Sequence, residues 1–175
     1  MLYAAVVIPI VKYDDPALLF VKRAAHLRRN PGQIAFPGGI VDPDDADERA
    51  AALREFEEEL GIARERVHLI DRLEDVVTLA LSVTGTPFVG ILEPPLELAA
   101  DASETEDVYE VPLRAVYAPS AVHRGTERVV RDGTTYDVPS WLFDYENIHV
   151  WGATARMLHG LVMRYPAASA LGALA

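Results

Sequence analysis

The 175-residue sequence contains no cysteine. That excludes a disulfide framework, a thiolate zinc site and a thiol nucleophile, and it fits a reducing compartment such as the cytoplasm. Basic residues are scarce: 16 Lys and Arg stand against 27 Asp and Glu, a formal net charge of −11. A surface with that balance repels nucleic-acid backbones and anionic membranes, so neither is expected as a partner. Phosphates stay within reach through bound cations, which reverse the local sign. No apolar run is long enough to span a bilayer. The apolar start, MLYAAVVIPIVKY, lacks the basic head and small-residue cleavage site of a secretory leader and reads as a buried strand. Also missing are a Gly-x-Ser-x-Gly elbow, a P-loop and a Gly-x-Gly-x-x-Gly turn. The five histidines show no metal-ligand spacing. Serine hydrolase, P-loop and Rossmann readings therefore have no local support.

Half of the residues are hydrophobic and a quarter charged, the composition of a globular protein of one domain. Strands are expected at 2–13 and 18–22, joined through Asp14-Asp15-Pro16. Residues 23–33, with Asn30-Pro31-Gly32, read as a loop, and Phe36-Pro37-Gly38-Gly39 as a tight turn. A long helix is expected over 46–60, with acids at its start and Gly61 as its stop. Strands follow at 67–73, 76–83 and 87–92. The acidic stretch 101–110 leads into a short helix opened by Pro112. A hairpin is expected at 123–131 and 135–138 around Asp132-Gly133, and a last helix over 148–164. The expected organisation is one domain over 1–165 of the α+β or mixed α/β class, with an Ala-rich tail, 166–175, of poor order.

The chemistry concentrates in Arg54-Glu55-Phe56-Glu57-Glu58-Glu59-Leu60-Gly61-Ile62. On a helix Glu55, Glu58 and Glu59 stand at i, i+3 and i+4 and share one face. Leu53, Phe56 and Leu60 line a neighbouring face that can meet a core, and Glu57 points elsewhere. Three like charges on one face repel each other unless a cation sits among them. Mg²⁺ and Mn²⁺ prefer such oxygen donors. A glutamate run alone is more often a solvated face; the surrounding pattern is what favours chemistry.

Gly38-Gly39, Arg54-Glu55-Phe56 and Glu58-Glu59-Leu60-Gly61-Ile62 resemble the Nudix box. The spacer between Gly39 and Arg54 is one residue longer than usual, and its acid is Asp45 instead of glutamate. That departure resembles the coenzyme A pyrophosphatase branch, with Phe36-Pro37-Gly38-Gly39 followed by Asp42-Pro43-Asp44-Asp45. Upstream, Arg23-Ala24, Arg28, Gly32 and Phe36 keep the register of the same branch, although the strand Leu18-Leu19-Phe20-Val21 departs where threonine is usual. Downstream, Val111-Pro112-Leu113 and Val150-Trp151-Gly152-Ala153-Thr154-Ala155 are similar too, so the likeness runs from about residue 18 to 158.

The resemblance implies a Nudix fold, a mixed β-sheet sandwiched between helices, and metal-dependent hydrolysis of a diphosphate bond. It implies that Glu55, Glu58 and Glu59 ligate Mg²⁺ or Mn²⁺, that one of them acts as or orients a base, and that Arg54 holds a box carboxylate. The Gly39 carbonyl is a further ligand on this reading. A distal carboxylate is supplied by Glu104 or Glu106, between which the register does not choose. Arg28 and Arg23, with the Gly38-Gly39 turn, would bind the substrate phosphates, the 3′-phosphate being the candidate target of Arg28; ordinary surface solubility is the competing account. Trp151 and Thr154 are expected to pack on the core. The substrate implied is a small-molecule nucleotide: coenzyme A or a derivative, cut to adenosine 3′,5′-bisphosphate and 4′-phosphopantetheine. ADP-ribose, a dinucleoside polyphosphate or a nucleoside triphosphate are the alternatives, because the box fixes the reaction and not the leaving groups. A non-catalytic nucleotide-binding module would show broken box carboxylates, and these are intact. A homodimer is compatible with the sequence but nothing in it names an interface.

Overall fold

The computed structural model describes residues 2–78, 82–131 and 133–172. In chain order the elements are β1 (Leu2–Val11), β2 (Ala17–Arg23), β3 (Ile34–Ala35), β4 (Gly38–Ile40), α1 (Glu48–Leu60), β5 (His68–Arg72), β6 (Val76–Thr78), β7 (Val83–Leu92), β8 (Thr105–Pro112), α2 (Leu113–Val116), β9 (Val122–Arg131), β10 (Thr134–Tyr145), β11 (Ile148–Trp151), α3 (Gly152–Arg164) and α4 (Ala168–Gly172).

β1 lies at the centre. It runs parallel to β7 from Leu2↔Val83 to Val11↔Leu92 and antiparallel to β2 and β4. The mixed sheet has the path β3-β2-β1-β7-β5, with β8 added on β2 and β6 on β7. A strand covered on both faces is a continuous apolar run without polar alternation, which is how Val6-Val7-Ile8-Pro9-Ile10-Val11 reads. Alternate side chains of β1 then serve two cores. Val7 and Val11 join Leu19 and Val21 under Ala51, Ala52, Phe56 and Leu60 of α1. Ile8 and Ile10 join Leu18, Phe20 and Val89 under Met157, Leu158 and Leu161 of α3, with Phe143 and Val150 of the smaller sheet β11-β10-β9.

α1 starts two residues later than expected. Asp47 is its cap, accepting from the Ala50 N–H at 2.7 Å. It stops at Gly61 in the left-handed region, φ 67°, whose N–H donates to the Glu57 carbonyl at 2.8 Å. The expected helix from residue 148 needs correction, and two other stretches gain definition. The acidic stretch before Pro112 is a strand, β8, paired along β2 from Ala17↔Pro112 to Arg23↔Thr105. Residues 148–151 are a strand, antiparallel to β10, and the helix begins only at Gly152, φ 64°. Trp151 therefore sits half-buried at a strand end, and Thr154 is also only half-buried. Within the described part of the tail, Ala168–Gly172 is helical and Leu171 is buried in the α3 core. Of the expected strand at 76–83, β6 ends at Thr78, residues 79–81 lie outside the described residues, and Val83 already belongs to β7. Among the described residues no helix is long and apolar enough to cross a membrane.

One ion triad ties the small sheet together. His149 on β11 bonds Asp144 of β10 at 2.6 Å and Glu127 of β9 at 2.8 Å. The hydrogen bond to Asp144, then that to Glu127, hold the imidazole above its ordinary 6.5 against the opposing pull of burial. A raised folded value contributes stability that is fully present below the unfolded pKa and lost as pH rises through the folded one. The His149 side chain is 46% exposed, so the contribution is about 1 kcal/mol or less. His149→Gln is expected to lower the melting temperature by roughly 2–4 °C at about pH 6 and by little at about pH 9. Equal losses at both pH values, seen in thermal melts, would contradict this.

Candidate metal centre and active site

β4 is a short strand laid antiparallel on β1, with Ala5↔Gly39 and Val6↔Gly38 as partners. The approach is too close for side chains. Gly38 sits at φ 155°, and a Cβ there would overlap the Ala5 carbonyl and lie 2.5 Å from Val6 Cα. A Cβ on Gly39 would fall 2.5 Å from both carboxylate oxygens of Glu55. The Gly-Gly turn is thus a slot through which the main chain reaches two glutamates of α1: Gly39 abuts Glu55, and the Gly38 N–H donates to Glu59 Oε2 at 3.1 Å.

Glu55, Glu59 and Glu104 each bring one carboxylate oxygen within 4.8 Å of the others. Glu59 is only 2% exposed. Burial pushes its carboxyl up to about 8, reinforced by Glu55 and Glu104 and resisted by the Gly38 N–H and Arg23. Burial also raises Glu55, with Arg54 opposing. A buried carboxylate with like charges around it costs several kcal/mol unless a cation compensates. The guanidinium nearest to Glu59, that of Arg23, stands 3.8 Å away. An all-oxygen set of three carboxylates, under-compensated and partly buried, fits a hard divalent cation.

Glu104 rather than Glu106 enters this cluster, and a β-bulge is the reason. Lys22 pairs with Asp107 but Arg23 pairs with Thr105, so Glu106 is skipped in the ladder. A bulge re-aims the side chains around it. Glu106 turns away to Lys22 Nζ at 2.6 Å, while the Glu104 carbonyl accepts from the Ala24 N–H at 2.8 Å. The segment is also tied to α1, since the Asp101 N–H donates to the Glu59 carbonyl at 3.2 Å.

Glu58 departs from the expectation that all three box glutamates converge. Its side chain is 57% exposed and bonds Arg54 Nη1 at 3.2 Å, one helical turn away. Glu57, expected to point elsewhere, pairs with Arg64 at 2.6 Å. Arg54 is the organising cation of the outer side. Its Nη1 donates to Glu55 at 2.9 Å, and its Nε and Nη2 grip both oxygens of Asp45, each at 2.9 Å. This bidentate fork is the strong geometry for guanidinium and carboxylate. The Arg54 bond, followed by the Asp42 N–H, pulls the Asp45 carboxyl down to about 2. Asp45 therefore anchors the arginine that orients Glu55, a role its place in the spacer did not disclose.

The two upstream arginines part company. Arg23 turns inward to Glu59, with its Nε donating to the Arg29 carbonyl at 3.4 Å. Arg28 is exposed and has no hydrogen-bond or ion-pair partner among the described residues. The inward turn of Arg23 was not legible in sequence, because it depends on the bulge.

Similarity to known proteins bears on the family and the fold. The family described as NUDIX domain matches residues 1–132. The proteins named "Uncharacterized Nudix hydrolase NudL" in Enterobacter sp. (strain 638) and Salmonella newport (strain SL254) are 43% identical over 164 residues, covering 92% of this chain and 81% of theirs. Among solved structures, a C. elegans Ap4A hydrolase binary complex superposes with TM-score 0.55 at 24% identity, over 63% of this chain and 80% of that one. A MutT/nudix family protein from Enterococcus faecalis gives TM-score 0.58 at 12% identity, over 93% of this chain and 61% of that one. Those two likenesses concern the fold alone, and they bear out the expected mixed sheet between helices. On the family match over most of its length and on its relatives, this chain belongs to the Nudix hydrolase family.

Proposed function

We propose that the chain cleaves the diphosphate bond of coenzyme A or a derivative, releasing adenosine 3′,5′-bisphosphate and 4′-phosphopantetheine, with Mg²⁺ or Mn²⁺ as its cofactor. The observation that carries the reaction type is the convergence of Glu55, Glu59 and Glu104 beside the Gly38-Gly39 turn. The substrate rests on the register Arg23, Arg28, Gly32, Phe36 ahead of that turn.

A diphosphate bridge repels an incoming hydroxide, so catalysis needs charge neutralisation fixed in advance. A divalent ion held by Glu55, Glu59 and Glu104 would neutralise phosphate charge and acidify the attacking water. The chain's own residues supply the rest. The Gly38 N–H fixes one oxygen of Glu59. Arg54, itself held by Asp45, fixes Glu55. A box glutamate takes the proton of the water. Arg28, exposed and without a competing carboxylate, suits recognition of a phosphate on the substrate. The net charge of −11 favours a small nucleotide over nucleic acid or membrane as partner, and the absence of cysteine suits the cytoplasm.

The test offers purified protein coenzyme A, ADP-ribose, a dinucleoside polyphosphate and a nucleoside triphosphate in parallel, each with and without Mn²⁺ or Mg²⁺, and separates the products by chromatography. Metal-dependent release of adenosine 3′,5′-bisphosphate from coenzyme A, at a rate well above that of the others, is expected. Cleavage of another compound and not of coenzyme A would overturn the substrate while leaving the chemistry standing.

A further inference from the structure

We infer that Arg23 is a positioning residue: its guanidinium bridges the buried Glu59 and the loop 24–33, and so holds that loop, with Arg28 on it, against the acidic cluster. The final step, from loop to ligand, rests on the function proposed above; the ordering of the loop does not.

Arg23 stands where four pieces of chain meet. Its N–H donates to the Gln33 carbonyl at 2.9 Å, and its carbonyl accepts from the Gly32 N–H at 3.0 Å, so the loop closes on Arg23 itself. The next residue, Ala24, bonds the Glu104 carbonyl at 2.8 Å. The side chain is 23% exposed and reaches Glu59 Oε1 at 3.8 Å. Its Nε donates to the carbonyl of Arg29 at 3.4 Å, the residue that follows Arg28. Few other contacts fix the outer half of the loop. Leu27 N–H to Ala24 carbonyl at 3.2 Å and Gln33 N–H to Asn30 carbonyl at 3.4 Å are its internal bonds. Arg28 and Arg29 are exposed, and a Cβ built on Gly32 meets nothing within 4 Å. A loop with so little packing opens locally at small cost.

The planar guanidinium suits the role because it presents several donors in one rigid fork. One end faces a carboxylate that cannot leave, since Glu59 is buried and held by Gly38; another end holds the loop. Lysine keeps the charge but gathers its donors on one atom, so it does not match partners met by Nε and Nη1 at separate points of the fork. An arginine bound directly to substrate would instead have to abandon Glu59.

The test has two readouts on the full chain. In hydrogen exchange, Arg23→Gln and Arg23→Lys are expected to speed exchange of the amides of 24–33 by about tenfold or more, while Arg28→Gln leaves them unchanged. In calorimetric titration with adenosine 3′,5′-bisphosphate, Arg28→Gln and Arg23→Gln are each expected to weaken binding about tenfold. The double variant should be no weaker than Arg28→Gln alone, because Arg23 acts through Arg28. Multiplying losses in the double variant, or unaltered loop exchange in both Arg23 variants, would overturn the inference. Should the bisphosphate fail to bind the parent chain, the exchange result alone decides the loop, and the cleavage assay decides the substrate. Arg23→Lys keeps the test open if Arg23→Gln does not fold.

Discussion

Glu59→Gln is expected to reduce metal-dependent turnover by roughly a thousandfold or more without loss of the fold. Glutamine has nearly the shape of glutamate and still offers an oxygen to the Gly38 N–H, which now meets Glu59 at 3.1 Å. What it removes is a negative charge from the most buried position of a three-carboxylate cluster. Glu58→Gln should cost less, because Glu58 is 57% exposed and stands outside that cluster, bonded to Arg54. The comparison is made by steady-state rates at saturating Mn²⁺, with thermal melts to show that both variants are folded. Full activity in a folded Glu59→Gln protein would remove the basis of the metal role.

The second large effect is on stability. The folded-state pKa of Glu59, about 8, lies above its ordinary 4.5. Below the ordinary value the carboxyl is neutral in both states and burial carries no electrostatic cost. As pH rises from about 4.5 to about 8 the unfolded chain releases this proton while the folded one resists, so stability falls across that window. A bound divalent ion reverses the balance by stabilising the ionised form. Mn²⁺ at about 100 times its dissociation constant adds about 2.7 kcal/mol, on the order of 5–10 °C in melting temperature for a chain of this size. The interval between metal-free and metal-loaded melts is therefore expected to widen from about pH 5 to about pH 8. In Glu59→Gln the interval should shrink and the metal-free slope should flatten. A melting temperature indifferent to Mn²⁺ at about pH 8 would count against the cluster as a cation site.

Legibility followed the strength of local signals. α1 was readable because its apolar face, its acidic cap and Gly61 all agree, and because Glu55 and Glu59 lie one turn apart. β1 and β2 were readable as buried apolar runs. β8 was hidden, since its acids mask the buried Thr105 and Val111 and the half-buried Val108 and Tyr109, which pack on the two cores. β11 was absorbed into the following helix because its burial alternates over only four residues and Trp151 provides no side-chain cap. At the site, helical spacing alone would bring Glu58 in with its neighbours, but Arg54 at i−4 draws it outward. The choice between Glu104 and Glu106, and the inward turn of Arg23, both hang on one bulge between β2 and β8. A bulge is a property of two strands in register, and no short stretch of either strand encodes it.

The most direct test is anomalous diffraction from a crystal of the chain soaked in Mn²⁺. The expected result is a manganese peak bounded by the carboxylate oxygens of Glu55, Glu59 and Glu104, beside the Gly38-Gly39 turn. A manganese peak on Glu57 or Glu58 with the cluster of Glu55, Glu59 and Glu104 empty would contradict the assignment of that cluster as the metal centre.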